Sequence, residues 1–182
     1  MVSSISSGSE IASDTGQIFM DSQKGIFILK APKVFSFSGF TESARDQEFN
    51  GIRFSSGSGF ATFTIVSLDG KDLPESSHLL LTVVGRARNT GQKIAPHVTK
   101  KIDDLESDVY ILNKGKEPIL VEGIEGRVFI QNKRMKNDIE IFCLDERGLR
   151  KSSIQPEEEK DGFSFNVSTA KNGTMYYEIV RK

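Results

Sequence analysis

The chain has 182 residues, of which 37% are hydrophobic and 27% are charged, and its formal net charge is -1 at pH 7. This length suffices for one domain with a real hydrophobic core. Acidic and basic residues are nearly balanced, so the chain lacks the charge excess that gathers nucleic acid or an acidic membrane surface. We expect neither of these as a partner.

No stretch reaches the roughly 18 apolar residues of a membrane span. The polar start, "MVSSISSGSE", has neither the basic region nor the apolar region of a signal peptide. We interpret residues 1–12 as a flexible leader and residues 13–182 as a single domain.

The first third of the chain alternates apolar and polar residues with a period of two, which indicates β-strands. Residues 17–20 and 25–30 predict a first hairpin, in which Gly25 takes a positive φ. Residues 34–40 predict a third strand. A polar, glycine-rich loop follows, with a short strand at residues 52–55.

The strongest strand pattern lies in "FATFTIVSLDG", where Ala61, Phe63 and Ile65 share one face. A turn begins at Asp69-Gly70. A second strand then runs through "HLLLTVVGRARN" to Thr90-Gly91. Arg86 and Arg88 are the last two residues on one face of this strand.

Residues 92–113 follow neither period clearly. We interpret them as a loop with a helical turn near residues 103–108 and a strand near 109–112. The remaining chain predicts two strands broken near Gly123, further strands in "DIEIFCLD" and "LRKSSI", and a final pair in "FSFNVS" and "TMYYEIV". About ten strands separated by short turns predict an all-β fold, an antiparallel β-sandwich of jelly-roll or immunoglobulin-like type.

The single cysteine, Cys143, falls on one face with Ile139 and Ile141. We expect a buried structural residue. A catalytic thiol would need a nearby histidine, and His78 and His97 are the two candidates.

Soft metal ligands are too few for a zinc site. Asp103 and Asp104, or Glu122 and Glu125, offer oxygen atoms for a structural calcium ion. Solvated acids are the favoured alternative, and we predict no cofactor.

Catalytic signatures are absent from the sequence. Glu122 and Glu125 are close in the chain, but with a glycine between them they more simply flank a turn than form a glycosidase pair. The sequence contains no GxSxG, no GxxxxGK and no GxGxxG after a strand. We therefore expect a protein that is not an enzyme.

Sugar-binding surfaces stack aromatic rings on the apolar faces of sugars. This chain has no tryptophan and three tyrosines, so a flat platform for crystalline polysaccharide is disfavoured. A small groove remains an alternative, and its predicted carbohydrate-binding residues are Arg86, Arg88, Asn89 and Tyr110.

Several long segments resemble the β-sandwich region found beside catalytic barrels in large bacterial glycoside hydrolases. They are "SDTGQIFMDSQKGIFILKAPKVFSFSGF", "SLDGKDLPESSHLLLTVVGRARNTGQ", "GKEPILVEGIEGRVFI", "LDERGLRKSSI" and "FSFNVSTAKNGTMYYEIVRK". The resemblance implies a non-catalytic, carbohydrate-binding or accessory module of a secreted polysaccharide-degrading enzyme. Its partners would be a polysaccharide or oligosaccharide and the neighbouring catalytic domain.

An alternative function is a structural or protein-interaction module that packs on a partner without binding sugar. The runs "HLLLTVV" and "IEIFCL" are apolar on both faces, which favours this alternative, since a lone sandwich buries one face of each strand.

Overall fold

The computed structural model describes residues 10–41, 48–57, 59–102, 105–131 and 138–181. These residues form eighteen strands and one short helix, α1 (Thr169–Asn172). The strands of the first half are β1 (Glu10–Ala12), β2 (Ile18–Asp21), β3 (Ile26–Ala31), β4 (Val34–Phe40), β5 (Glu48–Phe49), β6 (Ile52–Ser56), β7 (Phe60–Ser67), β8 (His78–Val84) and β9 (Ala87–Thr90).

The strands of the second half are β10 (Lys93–Ile102), β11 (Leu105–Asn113), β12 (Lys116–Val121), β13 (Glu125–Gln131), β14 (Ile139–Leu144), β15 (Arg150–Ile154), β16 (Glu157–Glu159), β17 (Gly162–Ser168) and β18 (Tyr176–Arg181). All pairings between the described strands are antiparallel, and the predicted all-β sandwich class is confirmed.

The chain divides into two compact units. Unit 1 comprises residues 1–85 and 123–182, and unit 2 comprises residues 86–122. In the sequence, unit 2 therefore interrupts the domain predicted over residues 13–182. Unit 2 contains two two-stranded sheets, β9 with β12 and β10 with β11.

Unit 1 contains two antiparallel sheets. The larger has nine strands in the order β1-β2-β3-β4-β7-β8-β18-β14-β15, and the smaller has five in the order β16-β17-β13-β6-β5. Strands that are neighbours in the chain mostly pair through short turns, as the turn signals predict.

Aromatic rings join the two sheets in the core. Phe54 of the five-stranded sheet stacks on Phe63 of the nine-stranded sheet, with 4.7 Å between ring centroids. Phe35 contacts both Phe63 and Phe49, at 6.0 and 5.8 Å. Ala61, Phe63 and Ile65 are fully buried, as their shared face predicts.

The predicted first hairpin forms between β2 and β3, and Gly25 has a φ of +61°. The strands predicted at residues 34–40 and 52–55 also form, as β4 and β6. The strand predicted in "FSFNVS" forms as β17, where Phe163, Phe165 and Val167 are buried, and so is Ser164 between them. Cys143 and Ile141 are buried in β14, and Ile139 packs partly buried against the same core.

Two predicted segments differ from the structure. The strand predicted through residue 89 ends at Val84, and Arg88 belongs to the separate strand β9. The strand predicted near residues 109–112 forms as part of β11, but the loop predicted before it is instead strand β10, which pairs with β11 in a hairpin. Residues 105–108, part of the predicted helical turn, also belong to β11, while residues 103–104 lie outside the described part. Strand β1 includes the last three residues of the predicted leader, and residues 1–9 are not described.

The turn predicted at Asp69-Gly70 is organised by the Asp69 carboxylate. It accepts hydrogen bonds from the backbone of Ser77 and from the hydroxyls of Ser76 and Ser67, at 2.9, 2.8 and 2.9 Å. Partial burial alone would raise the pKa of Asp69, but these donors and the Lys71 amide lower it well below its ordinary value of 3.8. The ionised carboxylate therefore stabilises the connection between β7 and β8.

Replacing Phe63 with alanine tests the packing between the sheets. We expect Phe63→Ala to lower the free energy of unfolding by about 3–5 kcal/mol, because it leaves a cavity where two rings made contact. Leu149→Ala, at a side chain that is 61% exposed, should change it by less than about 0.5 kcal/mol. Urea unfolding measures both, and equal losses would contradict the packing.

Replacing Asp69 with asparagine tests the turn. We expect Asp69→Asn to lower stability at pH 7 by about 1–3 kcal/mol, since several donors lose a charged acceptor. Because the folded pKa lies below the unfolded one, the wild type loses this stability as the pH falls below about 4. Urea unfolding between pH 7 and pH 3 should therefore show a shallower pH dependence for Asp69→Asn. The exposed Asp72→Asn is the control, and a wild-type pH dependence in Asp69→Asn would contradict this role.

Candidate functional site

Three of the predicted carbohydrate-binding residues lie at the start of unit 2, in or beside the ribbon of β9 and β12. In this ribbon Arg88 lies opposite Leu120, and Asn89 lies opposite Ile119. The register shifts between Lys116 and Ile119, so the pairing of β12 with β9 is irregular there. Sequence patterning missed this pairing because strands of four and six residues carry little periodic signal.

Arg86 forms a bidentate ion pair with Glu122. Its Nε and Nη2 atoms donate to the two carboxylate oxygens of Glu122 at 2.7 and 2.9 Å. The Glu122 amide also donates to the Arg86 carbonyl at 2.8 Å. Hydrogen bonds from Arg86 hold the pKa of Glu122 below its ordinary value. The Arg86 side chain, which was predicted to contact sugar, thus binds Glu122 and links the first and last residues of unit 2.

Asn89 also has a partner within unit 2. Its Nδ2 atom donates to the Lys114 carbonyl at 2.9 Å, next to Gly115. Gly115 has a φ of +72°, and a side chain there would come within 2.7 Å of the Thr90 carbonyl oxygen. The Asn89 side chain therefore stabilises the turn that leads into β12.

Of the other two predicted residues, Arg88 is described with its side chain and Tyr110 by its backbone alone. Arg88 is exposed and lines an open pocket of about 320 Å³, together with Arg86, Leu120, Val121 and Glu122. The backbone of Tyr110 lies in β11 opposite Ala95, and its side chain is outside the described part. Arg86 and Arg88 thus share one pocket.

Apolar side chains dominate the exposed surface of β12. All six of its residues are exposed. Ile119 is 62% exposed, and so is Leu112 in β11. The large exposed aliphatic side chains described in unit 2 are Ile111, Leu112, Ile119, Leu120 and Val121. Such a grouping on one small unit is typical of a protein contact surface.

Glu122 and Glu125, considered as metal ligands and as a catalytic pair, have cationic partners. Glu122 binds Arg86, and Glu125 lies 3.2 Å from the Lys171 ammonium. Among the described residues, no group of three or more His, Cys, Asp or Glu side chains is placed to hold a metal ion. Asp103 and Asp104 lie outside the described residues.

The outer face of the five-stranded sheet carries polar residues that sequence reasoning did not select. The strand pairings place one residue from each of the five strands side by side in a row. In order across the sheet these are Glu48, Arg53, Phe129, Ser164 and Glu157. The signal was present in "GIRFSS" and "EGRVFIQ", whose outward positions hold arginine and phenylalanine. It was missed because strands from distant parts of the sequence assemble the row.

Arg127 lies beside this row and ties three strands together. Its Nη2 atom donates to Glu157, Glu159 and the buried Ser164 hydroxyl, at 2.7, 3.4 and 2.6 Å. Hydrogen bonds from Ser164 and Arg127 lower the pKa of Glu159 despite some desolvation. The guanidinium of Arg53 lies over the Phe129 ring, 4.4 Å from its centroid.

The outer face of the nine-stranded sheet carries a second arginine–phenylalanine pair. Arg150 lies over the Phe142 ring at 4.0 Å and donates to Glu178 at 2.6 Å. His78 lies 2.8 Å from the other carboxylate oxygen of Glu178. The described chain thus places His78 beside a carboxylate, whereas Cys143 is buried in the core.

Comparison with known proteins identifies no relative: no family model matches the chain, and no curated protein or solved structure matches it. The resemblance to glycoside hydrolase accessory domains therefore depends on the quoted sequence segments alone. None of the helices in the described residues is long and apolar enough to cross a membrane.

Removing the Arg86 side chain tests its role in unit 2. We expect Arg86→Ala to speed amide hydrogen exchange in β9 and β12, because the ion pair joins the ends of the segment that contains both strands. The exposed Arg88→Ala is the matched control and should leave exchange unchanged. Hydrogen exchange followed by mass spectrometry measures both variants. Equal exchange in Arg86→Ala and the wild type would show that the ion pair does not stabilise the ribbon.

Proposed function

We propose that this chain is a non-catalytic accessory module of a polysaccharide-degrading enzyme that acts outside the cell, and that unit 2 attaches it to the neighbouring catalytic domain. The proposed attachment is supported by strand β12, which is exposed and includes the apolar residues Ile119 and Leu120. The accessory role is supported by the sequence resemblance.

The chemistry of the ribbon favours a protein partner at this site. A two-stranded ribbon is only marginally stable in water. Covering its large exposed aliphatic side chains with another apolar surface removes them from water and stabilises the complex. A sugar ligand would instead need free polar groups, whereas the Nε and Nη2 atoms of Arg86 bind Glu122 and the Nδ2 atom of Asn89 binds a carbonyl. The partner is therefore a protein surface with apolar side chains.

The pocket beside β12 gives the contact a polar margin. Arg86, Arg88 and Glu122 line it together with Leu120 and Val121. Interfaces commonly combine an apolar centre with charged residues at the rim, and arginine is enriched there. Arg88, which is exposed, is the residue available for an ion pair with the partner.

Lysine substitutions in β12 test the attachment in the polypeptide encoded by the complete reading frame. In the wild type, we expect this chain and the catalytic domain to unfold together in a single calorimetric transition. Ile119→Lys and Leu120→Lys should separate it into two, because a buried ammonium opposes the contact. Leu149→Lys is the control, since Leu149 is equally exposed but lies in unit 1.

Two outcomes would contradict the proposal. The first is a reading frame that encodes no catalytic domain beside this chain. The second is a single unfolding transition that both β12 variants leave unchanged.

A further inference from the structure

We propose that two copies of this chain form a twofold dimer through the outer face of the nine-stranded sheet. The contact uses the outward side chains of β1, β2, β3, β4, β7 and β8, which we call the uncharged face. This goes beyond the attachment proposed for β12, because all six strands belong to unit 1.

The uncharged face differs from an ordinary solvent-exposed sheet face. In β4, β7 and β8 every second residue is buried, so the residues between them point outward. Among the described residues of the six strands, no outward position holds Asp, Glu, Lys or Arg. Antiparallel sheets commonly present polar residues to water. The five-stranded sheet does so, with Arg53, Arg127 and Glu157.

Large apolar side chains lie together at one end of the uncharged face. Ile11, Met20 and Phe27 are side by side across β1, β2 and β3, and all three are exposed. Ile18, two residues before Met20 in β2, is exposed as well. A contiguous apolar group of this kind is typical of a contact surface, and covering it with another apolar surface stabilises the complex.

The hydroxyl groups at the centre of the uncharged face already have partners. The row continues from Phe27 to Ser38 and Thr62. The Ser38 and Thr62 hydroxyls lie 2.8 Å apart, and those of Ser36 and Thr64 lie 2.7 Å apart. A partner surface that excludes water here leaves none of these four groups without a hydrogen bond. The centre of the face can therefore be covered at little cost.

The distribution of charge favours a second copy as the occupant. In a twofold contact the same patch is present on both sides, so a charge on the patch lies near its own like charge. The uncharged face avoids that repulsion. Charged groups begin at its boundary, where His78 at the start of β8 lies 2.8 Å from Glu178, which also binds Arg150. These groups would lie at the rim of the dimer contact, where polar residues are common.

The size of the uncharged face is sufficient for a dimer. Its six strands have three to eight residues each. With a rise of about 3.3 Å per residue and a spacing of about 4.8 Å between strands, they cover about 550 Å² in projection. Two copies together contribute about 1,100 Å², which exceeds the roughly 1,000 Å² expected of a specific interface. An interface of this size predicts a dissociation constant in the micromolar range.

Sedimentation equilibrium of the 182-residue chain between about 1 and 200 μM tests the dimer. We expect the wild-type mass to rise towards twice that of the chain. Phe27→Lys and Met20→Lys should each weaken association by about tenfold or more, because each buries an ammonium group in the contact. Leu149→Lys is the matched control, since Leu149 is exposed in unit 1 but lies in the turn after β14. Urea unfolding confirms that each variant is folded, and Ile18→Lys replaces a variant that is not.

Several outcomes would overturn the proposal. They are a wild-type chain that stays monomeric at about 200 μM, a dimer that the folded lysine variants leave unchanged, and assemblies larger than a dimer. Loss of the dimer in Ile119→Lys alone would place the contact on unit 2 instead. Weakening by about 1 M NaCl would show that ion pairs form the contact. The attachment is decided separately, since its test uses the complete reading frame and the β12 variants.

Discussion

The stacked rings of Phe54 and Phe63 join the two sheets of unit 1, and the outer surfaces depend on that contact. Because side chains alternate along a strand, fixing one face in the core turns the other face outward. The buried positions of β6, β13 and β17 thereby place Arg53, Arg127 and Asn166 on the opposite face. A one-residue slip in any of these strands would exchange the two sets.

Charge on this molecule is organised locally. Acidic and basic residues nearly balance to a formal net charge of -1, and many of the described charges form pairs that connect neighbouring strands. Glu178 joins β18 to His78 and Arg150, and Arg127 joins β13 to β16. Exposed pairs of this kind add little stability individually. Their effect here is positional, since they restrict where long side chains lie.

The sequence predicted the fold best where burial imposes a period. Ala61, Phe63 and Ile65 were assigned correctly because a strand with one buried face must alternate. The strand near residues 109–112 was predicted, but β10 was missed because "KIAPHVTKKI" mixes lysine and proline with apolar residues, so hydrogen bonding to β11 defines this strand more than patterning does. The roles of Arg86 and Asn89 could not be predicted, since Glu122 and Lys114 are distant in sequence. The row on the five-stranded sheet was missed for the same reason.

The ion pair between Arg86 and Glu122 has a consequence for how the chain can vary. The backbone of Glu122 also binds that of Arg86, so unit 2 leaves the chain and returns to it at nearly one point. A segment closed at its base adds little loop entropy when its length changes. It can be exchanged, shortened or extended while the strands before and after it keep their register. Unit 2 is therefore a part of this protein in which a single continuous stretch can be replaced without re-pairing the strands that flank it.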